Sequence, residues 1–283
     1  MEKFNPIIEV IPDSDIIPEV RIWSVEKYKL VGHYCDIFTA GMKNKWNQLV
    51  YIDLFAGAGY SKIADSGKIL FSSALIAMSI PNPFSKYILC EKDTVKFKAL
   101  KQRVKKHFPN LNVVLLNIDS NNNVDKIKEV IPKFSKGNTL LPFCFVDPFS
   151  LELSFSTIAK LGENLMDFLI LQALHMDANR NLEIYIQEEN GKIANYLGDN
   201  DWRQKFIINE RENKCNFVRF LALYYQNQMN KLGYKPVVQM HQIRSNIKNL
   251  PLYYLAFYSK HPTGHSFFKS IEKSATPQLK MEF

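Results

Sequence analysis

The sequence predicts an α/β fold: a mostly parallel sheet of seven strands with a late antiparallel hairpin and a helical insertion. Three observations predict it. From about residue 46 onward, short apolar runs alternate with amphipathic stretches of helical spacing. Each of the first four apolar runs ends at an acid: Asp53, Glu91, Asp119 just past the end, and Asp147. Two β-rich runs near the C-terminus, 235–247 and 251–259, follow one another with only a polar turn between them. Strands separated by helices form parallel sheets through right-handed crossovers, whereas two strands joined by a turn pair antiparallel.

Composition sets the limits. The chain has 283 residues, 46% of them hydrophobic and 13% aromatic, enough for one large α/β domain and too apolar for global disorder. No apolar run reaches the roughly 18 residues of a membrane span. The start, Met1 to Pro6, lacks the basic and apolar regions of a signal peptide, so a cytoplasmic location without membrane association is expected. Cys35, Cys90, Cys144 and Cys215 are far apart and read as reduced core residues. The six histidines show no metal-ligand spacing, so no metal is expected. A net charge of +8 favours a polyanion partner, and a nucleic acid is admissible.

In order, residues 1–45 read as an N-terminal arm and helix. Pro6, Pro12 and Pro18 mark an irregular arm, and the helix runs from about Arg21 to Gly41 with Ser24 as its N-cap. Residues 46–283 form the sheet domain. Its strands are expected near 49–55, 87–91, 113–117, 140–147 and 166–171. Ser61 to Gly67 reads as a polar loop. Helices are expected near 72–80, 94–108 (capped by Asp93), 124–134 and 155–161. Residues from about 174 to 213 break the rhythm and form the helical insertion. An amphipathic helix from Cys215 to Leu232 follows, then the hairpin, then a last helix near 264–273.

The whole is organised around Tyr51-Ile52-Asp53-Leu54-Phe55-Ala56-Gly57-Ala58-Gly59-Tyr60: a strand, a glycine turn and the approach to a helix. Side chains at Gly57 and Gly59 would block close approach of a ligand to the backbone. In an open parallel sheet, ligands bind outside the carboxyl ends of the strands, where these acids would lie. Glu91 is placed to accept hydrogen bonds from a ribose diol, although farther past Gly59 than the roughly 20 residues of the short dinucleotide version. Ile118 and Asp119 would flank an adenine, and Gly57 and Gly59 a methionine-like tail. Phe55 and Lys92 complete the expected cofactor set, and Asp53 braces the turn. Position 62 is Lys62, so the third glycine of Gly-x-Gly-x-x-Gly is absent, and so is a P-loop. With the late hairpin, this favours the Rossmann-like sheet of class I methyltransferases, with S-adenosylmethionine as cofactor, over a nicotinamide oxidoreductase.

Asp147, Pro148 and Phe149 are the candidates for chemistry. The Asp-Pro turn restricts its own backbone, a planar amine would stack on Phe149, and Asp147 would accept its amino hydrogens. Trp23 and Lys27 near the first helix, and Trp202 in the insertion, are the expected substrate-binding residues.

These blocks resemble the three-Cys-motif partner proteins. The resemblance rests on Ile22-Trp23-Ser24 with Lys27 and Tyr34, Tyr51 to Gly59, Ser72 to Ala77, Cys90-Glu91-Lys92-Asp93, Asn117 to Asn121, Phe145 to Ser150, Trp202, and Tyr253 to His261. It implies a Rossmann-type methyltransferase fold and, as partner, a radical-SAM-like iron-sulfur protein carrying the three-cysteine motif. Nitrogen methyltransferases usually carry Asp/Asn-Pro-Pro-aromatic, whereas this chain has a single proline, Pro148. The expected function is S-adenosylmethionine-dependent methylation of a nitrogen in nucleic acid. The alternative is a non-catalytic nucleotide- or nucleic-acid-binding module serving the partner.

Overall fold

The structure is a computed structural model, described here for residues 4–178, 181–187, 191–213, 215–235, 240–244, 251–261 and 264. It has the α/β architecture expected, with a seven-stranded, mostly parallel sheet and an antiparallel late pair. In chain order the elements are β1 (Glu19–Val20), α1 (Ser24–Met42), β2 (Gln48–Asp53), β3 (Tyr60–Ile63), β4 (Ile69–Phe71), α2 (Ser73–Met78), β5 (Lys86–Cys90), α3 (Thr94–His107), β6 (Val113–Leu116), α4 (Val124–Val130), β7 (Leu140–Val146), α5 (Phe155–Leu161) and β8 (Asp167–Gln172). A single π-helical turn, Leu174–Ala178, leads to α6 (Leu182–Gln187), α7 (Lys192–Leu197), α8 (Trp202–Asn213), α9 (Phe217–Lys231), β9 (His241–Arg244) and β10 (Pro251–Tyr258). The large sheet has the strand order β6-β5-β2-β7-β8-β10-β9. Contacts divide the chain after Val146 into two compact units.

In the first unit, β2 pairs in parallel with β5 on one side and β7 on the other, with Asp53 opposite Leu89 and Phe145. β2 and β7 are almost wholly buried, which is why their sequences read as continuous apolar runs rather than alternating ones. Tyr34, Phe38, Tyr51, Phe84, Tyr87 and Phe143 form one aromatic cluster, with ring centroids 4.7 to 6.5 Å apart. Asp93 caps α3, accepting from the Val95 and Lys96 amides at 2.8 and 2.9 Å.

Three expectations for this unit are corrected. Ser61 to Gly67 is a polar loop only in part: Ser61, Lys62 and Ile63 belong to β3, and 64–67 form the turn of the β3–β4 hairpin. The arm is not irregular throughout. β1 pairs in parallel with β3, the Val10 amide donates to the Ile69 carbonyl, and the Phe71 amide donates to the Ile8 carbonyl. The arm meets this small sheet mostly through its carbonyls: those of Ile8, Pro18 and Val20 accept from the Phe71, Lys62 and Ala64 amides. Finally, Ser24 is the first helical residue of α1, and Trp23 holds the cap position without a side-chain bond.

In the second unit, β10 pairs antiparallel with β8 and with β9, as the late hairpin predicts. Of the run 235–247, residues 241–244 form the strand, while 236–239 and 245–247 lie outside the described residues. The expected last helix near 264–273 also lies outside them, apart from Gly264. The insertion is helical, as read. Its core is aromatic, with Tyr196 stacked on Tyr225 at 4.8 Å and Phe206 against Phe217 at 5.0 Å. Among the described residues, no helix is long and apolar enough to cross a membrane, and no cluster of three metal-ligating side chains occurs.

Asp167, the first residue of β8, is buried. Loss of water pushes its carboxyl up to about 7, against a smaller lowering by the Ser259 hydroxyl. The folded pKa therefore lies above the unfolded value of about 3.9. The stability that depends on the neutral carboxyl is complete at low pH and is lost as pH rises from about 4 to about 7. Asp167→Asn is expected to raise unfolding stability above pH 7 by about 2 to 4 kcal/mol, with little change near pH 4.5. Urea melts of both proteins at the two pH values check this.

Candidate ligand site at the strand ends

The site begins with the glycine turn. Gly57 and Gly59 both have left-handed backbones, φ 67° and 86°. Their surroundings differ. A Cβ on Gly57 would enter open space, whereas one on Gly59 would press on Leu75 and Leu100 at 3.2 and 3.3 Å. The turn therefore needs Gly57 for its backbone and its open side. It needs Gly59 for its backbone and for the approach of α2 and α3.

Asp53, fully buried, braces this turn. Its carboxylate accepts the Phe55 amide at 3.0 Å, the Tyr51 hydroxyl at 3.2 Å and the Ser73 hydroxyl at 3.3 Å. Phe55 itself is half-buried.

Glu91 directly follows β5 and closes the turn from the neighbouring strand. The Gly57 amide donates to one carboxylate oxygen at 2.9 Å, and the Asp93 amide donates to the other at 2.8 Å. The Ala56 amide also donates to the Cys90 carbonyl at 2.8 Å. A carboxylate offers about four lone-pair sites, so Glu91 keeps acceptor capacity beyond these two bonds. Lys92 is exposed beside it.

Beyond β6, Asp119 accepts the amides of Asn121 and Asn122 at 2.9 and 3.3 Å, an Asx turn that sets its loop. Ile118 and Asp119 are half-buried. Two residues that sequence reasoning missed hold this loop in place. The Ser120 hydroxyl donates to the Leu54 carbonyl at 2.8 Å, and the Asn117 side chain donates to the Glu91 carbonyl at 2.8 Å. Their place directly before and after Ile118-Asp119 was the available signal. Hydrogen bonds thus join Asp53 to Phe55, Gly57 to Glu91, and the Ile118-Asp119 loop to Glu91 and Leu54 through Asn117 and Ser120.

Arg103 was also missed. Its side chain is buried and bonds Asp13 through two nitrogens, at 2.9 and 2.6 Å. It donates to the Ala58 carbonyl at 2.7 Å and lies over the Tyr60 ring at 4.1 Å. The arm and the glycine turn therefore share one guanidinium. That bond first, and the neighbouring charge, hold the Asp13 carboxyl below the usual range. In the sequence, Arg103 looks like one more cation on a lysine-rich helix.

Trp23 is half-buried just before α1, and Lys27 lies 5.3 Å from the centre of the Tyr28 ring. Trp202 is corrected as a substrate-binding residue. Its side chain is fully buried at the start of α8 against Phe217, so no face is open to a base. In the second unit, Asp147 is half-buried, Pro148 is buried, and Phe149 is 89% exposed.

No family model and no curated protein matches this chain. Among solved structures, it is similar to protein LPL1258 from Legionella pneumophila, of family DUF519, at 11% identity and a TM-score of 0.50. That likeness covers 90% of this chain and 95% of the other. Two weaker likenesses are to Trm1 from Pyrococcus horikoshii in complex with S-adenosyl-L-methionine and to an O-methyltransferase from Bacillus cereus in complex with SAH. The first has 11% identity, covers 93% of this chain and 61% of that one, and has a TM-score of 0.44; the second has 9%, 88%, 84% and 0.43. At 11% identity the first likeness speaks to the fold alone.

The turn yields a stability prediction. Gly57→Ala adds only left-handed strain, a loss of about 1 to 2 kcal/mol. Gly59→Ala adds the same strain and crowding on Leu75 and Leu100, for a total of about 2 to 4 kcal/mol. Urea unfolding of the two variants is expected to rank them in that order.

Proposed function

We propose that this chain is an S-adenosylmethionine-dependent methyltransferase acting on a nitrogen of nucleic acid. One observation carries the reading. The turn at Gly57 opens onto free space, and Glu91, which binds its amide, keeps acceptor capacity at the end of the adjacent strand. That arrangement suits a nucleoside whose tail lies along a glycine turn and whose ribose hydroxyls donate to an acid.

The residues present fit the cofactor. Glu91 would take the ribose hydroxyls, Ile118 and Asp119 the adenine, and Gly57 and the Phe55 backbone the amino-acid tail. When bound, S-adenosylmethionine supplies an electrophilic methyl group on a sulfonium. Asp53 would act one step back, by holding the turn through the Phe55 amide.

Asp147 is joined directly to Val146, the last residue of β7, and the preceding Phe145 pairs with Asp53. Its carboxylate and the carbonyls of the Asp-Pro turn would accept the amino hydrogens of a target base, leaving the nitrogen lone pair aimed outward. Phe149, exposed as it is, offers a free face for stacking. Such positioning is most of what a methyl transfer needs. The net charge of +8 supports a polyanionic substrate. The likeness to three-Cys-motif partner proteins supports an iron-sulfur protein as partner.

The test is transfer of labelled methyl from S-adenosylmethionine to DNA and RNA, with and without that partner. Asp147→Ala is expected to lower kcat about a hundredfold with cofactor affinity unchanged. Phe149→Ala is expected to raise the KM for nucleic acid about tenfold. Unchanged transfer by Asp147→Ala would remove the mechanism. Tight partner binding that survives both Gly57→Val and Asp147→Ala, without transfer by the wild type, would favour a non-catalytic partner module.

A further inference from the structure

Phe149 raises a physical question. A phenylalanine 89% exposed has almost no packing of its own to hold it, yet a stacking platform must be fixed to be useful. The buried Pro148 restrains one side of the loop. On the other side, the Leu151 amide donates to Asp177 Oδ2 at 2.9 Å, and this bond is buried.

Asp177 is only 7% exposed and lies in the π-helical turn 174–178. It gathers three further donors. The Asn181 side-chain amide reaches Oδ1 at 2.9 Å, the Tyr185 hydroxyl reaches Oδ1 at 2.6 Å, and Lys192 Nζ reaches Oδ2 at 2.7 Å. Lys192 also lies 5.8 Å from the centre of the Tyr185 ring. Four donors fill the roughly four lone-pair sites of a carboxylate. Asp177 therefore has nothing left for a substrate, and its whole capacity goes into joining parts of the chain. Single π-helical turns are rare and frequent at functional sites.

We propose that Asp177 is a positioning residue: it fixes the Asp147-Pro148-Phe149-Ser150 loop through the Leu151 amide and anchors it to α6 and α7 through Tyr185 and Lys192. The insertion then has a purpose that its polar sequence does not reveal. It supplies the donors that keep Asp177 ionised and oriented, and so presents Asp147 and Phe149 in one arrangement before any substrate arrives. Consistent with this, the hydrogen bonds from Lys192, Tyr185 and Leu151 together outweigh burial and hold the Asp177 carboxyl below the usual range. The proposal rests on the methyltransferase reading for its catalytic consequence, but not for its structural one.

The experiment has two arms, run on the full chain. In the first, hydrogen exchange is followed in Asp177→Ala and Asp177→Asn. Asp177→Ala is expected to speed exchange at residues 149–153 about tenfold or more, with protection of β2 and β5 unchanged. Asp177→Asn, which keeps an acceptor for the Leu151 amide, is expected to restore part of the protection. Tyr185→Phe removes one donor from the far side of Asp177 and is expected to give a smaller increase at the same residues.

In the second arm, Asp177→Ala is expected to lower kcat for methyl transfer about tenfold, with the affinity for S-adenosylmethionine unchanged. Unchanged exchange at 149–153 in Asp177→Ala overturns the proposal whatever the activity, and Tyr185→Phe decides the same point if Asp177→Ala does not fold. Faster exchange with an unaltered kcat overturns the catalytic consequence. A wild-type chain without transfer activity counts against the methyltransferase reading alone, because the exchange arm still decides whether Asp177 fixes the loop.

Discussion

Asp53 is a carboxylate with no exposed surface, at the end of the strand that β5 and β7 flank. A charge buried in this way is tolerable only with good partners, since desolvation alone costs several kcal/mol. The Phe55 amide, the Tyr51 hydroxyl and the Ser73 hydroxyl provide them. Burial first, and the Asp53 charge second, push the Tyr51 phenol and the Cys35 and Cys144 thiols well above their ordinary values. These neighbours stay neutral, and the Tyr51 hydroxyl remains a donor. The direction of the chain leaving β2 is set by this arrangement, because the Phe55 amide must face back toward Asp53. The glycine turn starts from that fixed point.

The remaining geometry of the first unit follows from the turn. Its amide at Gly57 is bound by Glu91, its carbonyl at Ala58 by Arg103, and Leu54 just before it by Ser120. Three elements and the N-terminal arm therefore meet on a stretch of a few residues. None of these bonds uses the open side of Gly57. The second unit has its own hub in Asp177, built on the same rule that a buried carboxylate collects donors until its lone pairs are filled.

Much of the first unit was legible in the sequence, because parallel strands buried on both faces leave continuous apolar runs and their ends carry the acids. The Asp93 cap was legible for a similar reason: a short acceptor before a helix has one local task. The β3–β4 hairpin was not legible. Besides each other, its short strands pair with the proline-bearing arm, some fifty residues away, and no local pattern encodes that support. Arg103 was hidden by composition, since its burial depends on Asp13, far off in sequence. Trp202 misled for the opposite reason: a tryptophan in a polar stretch looks free, yet it packs against Phe217 of the following helix. Asp177 gave no signal at all, because its meaning lies in four donors scattered from Leu151 to Lys192.

The glycine turn and Glu91 are proposed together to hold S-adenosylmethionine. Calorimetric titration of the purified chain with S-adenosylmethionine, S-adenosylhomocysteine and NAD, for the wild type and for Glu91→Ala, tests this most directly. Roughly micromolar binding of the first two ligands, none of NAD, and loss of binding in Glu91→Ala are expected. A folded wild-type chain that binds neither ligand, or binding that Glu91→Ala leaves unchanged, would contradict the proposal.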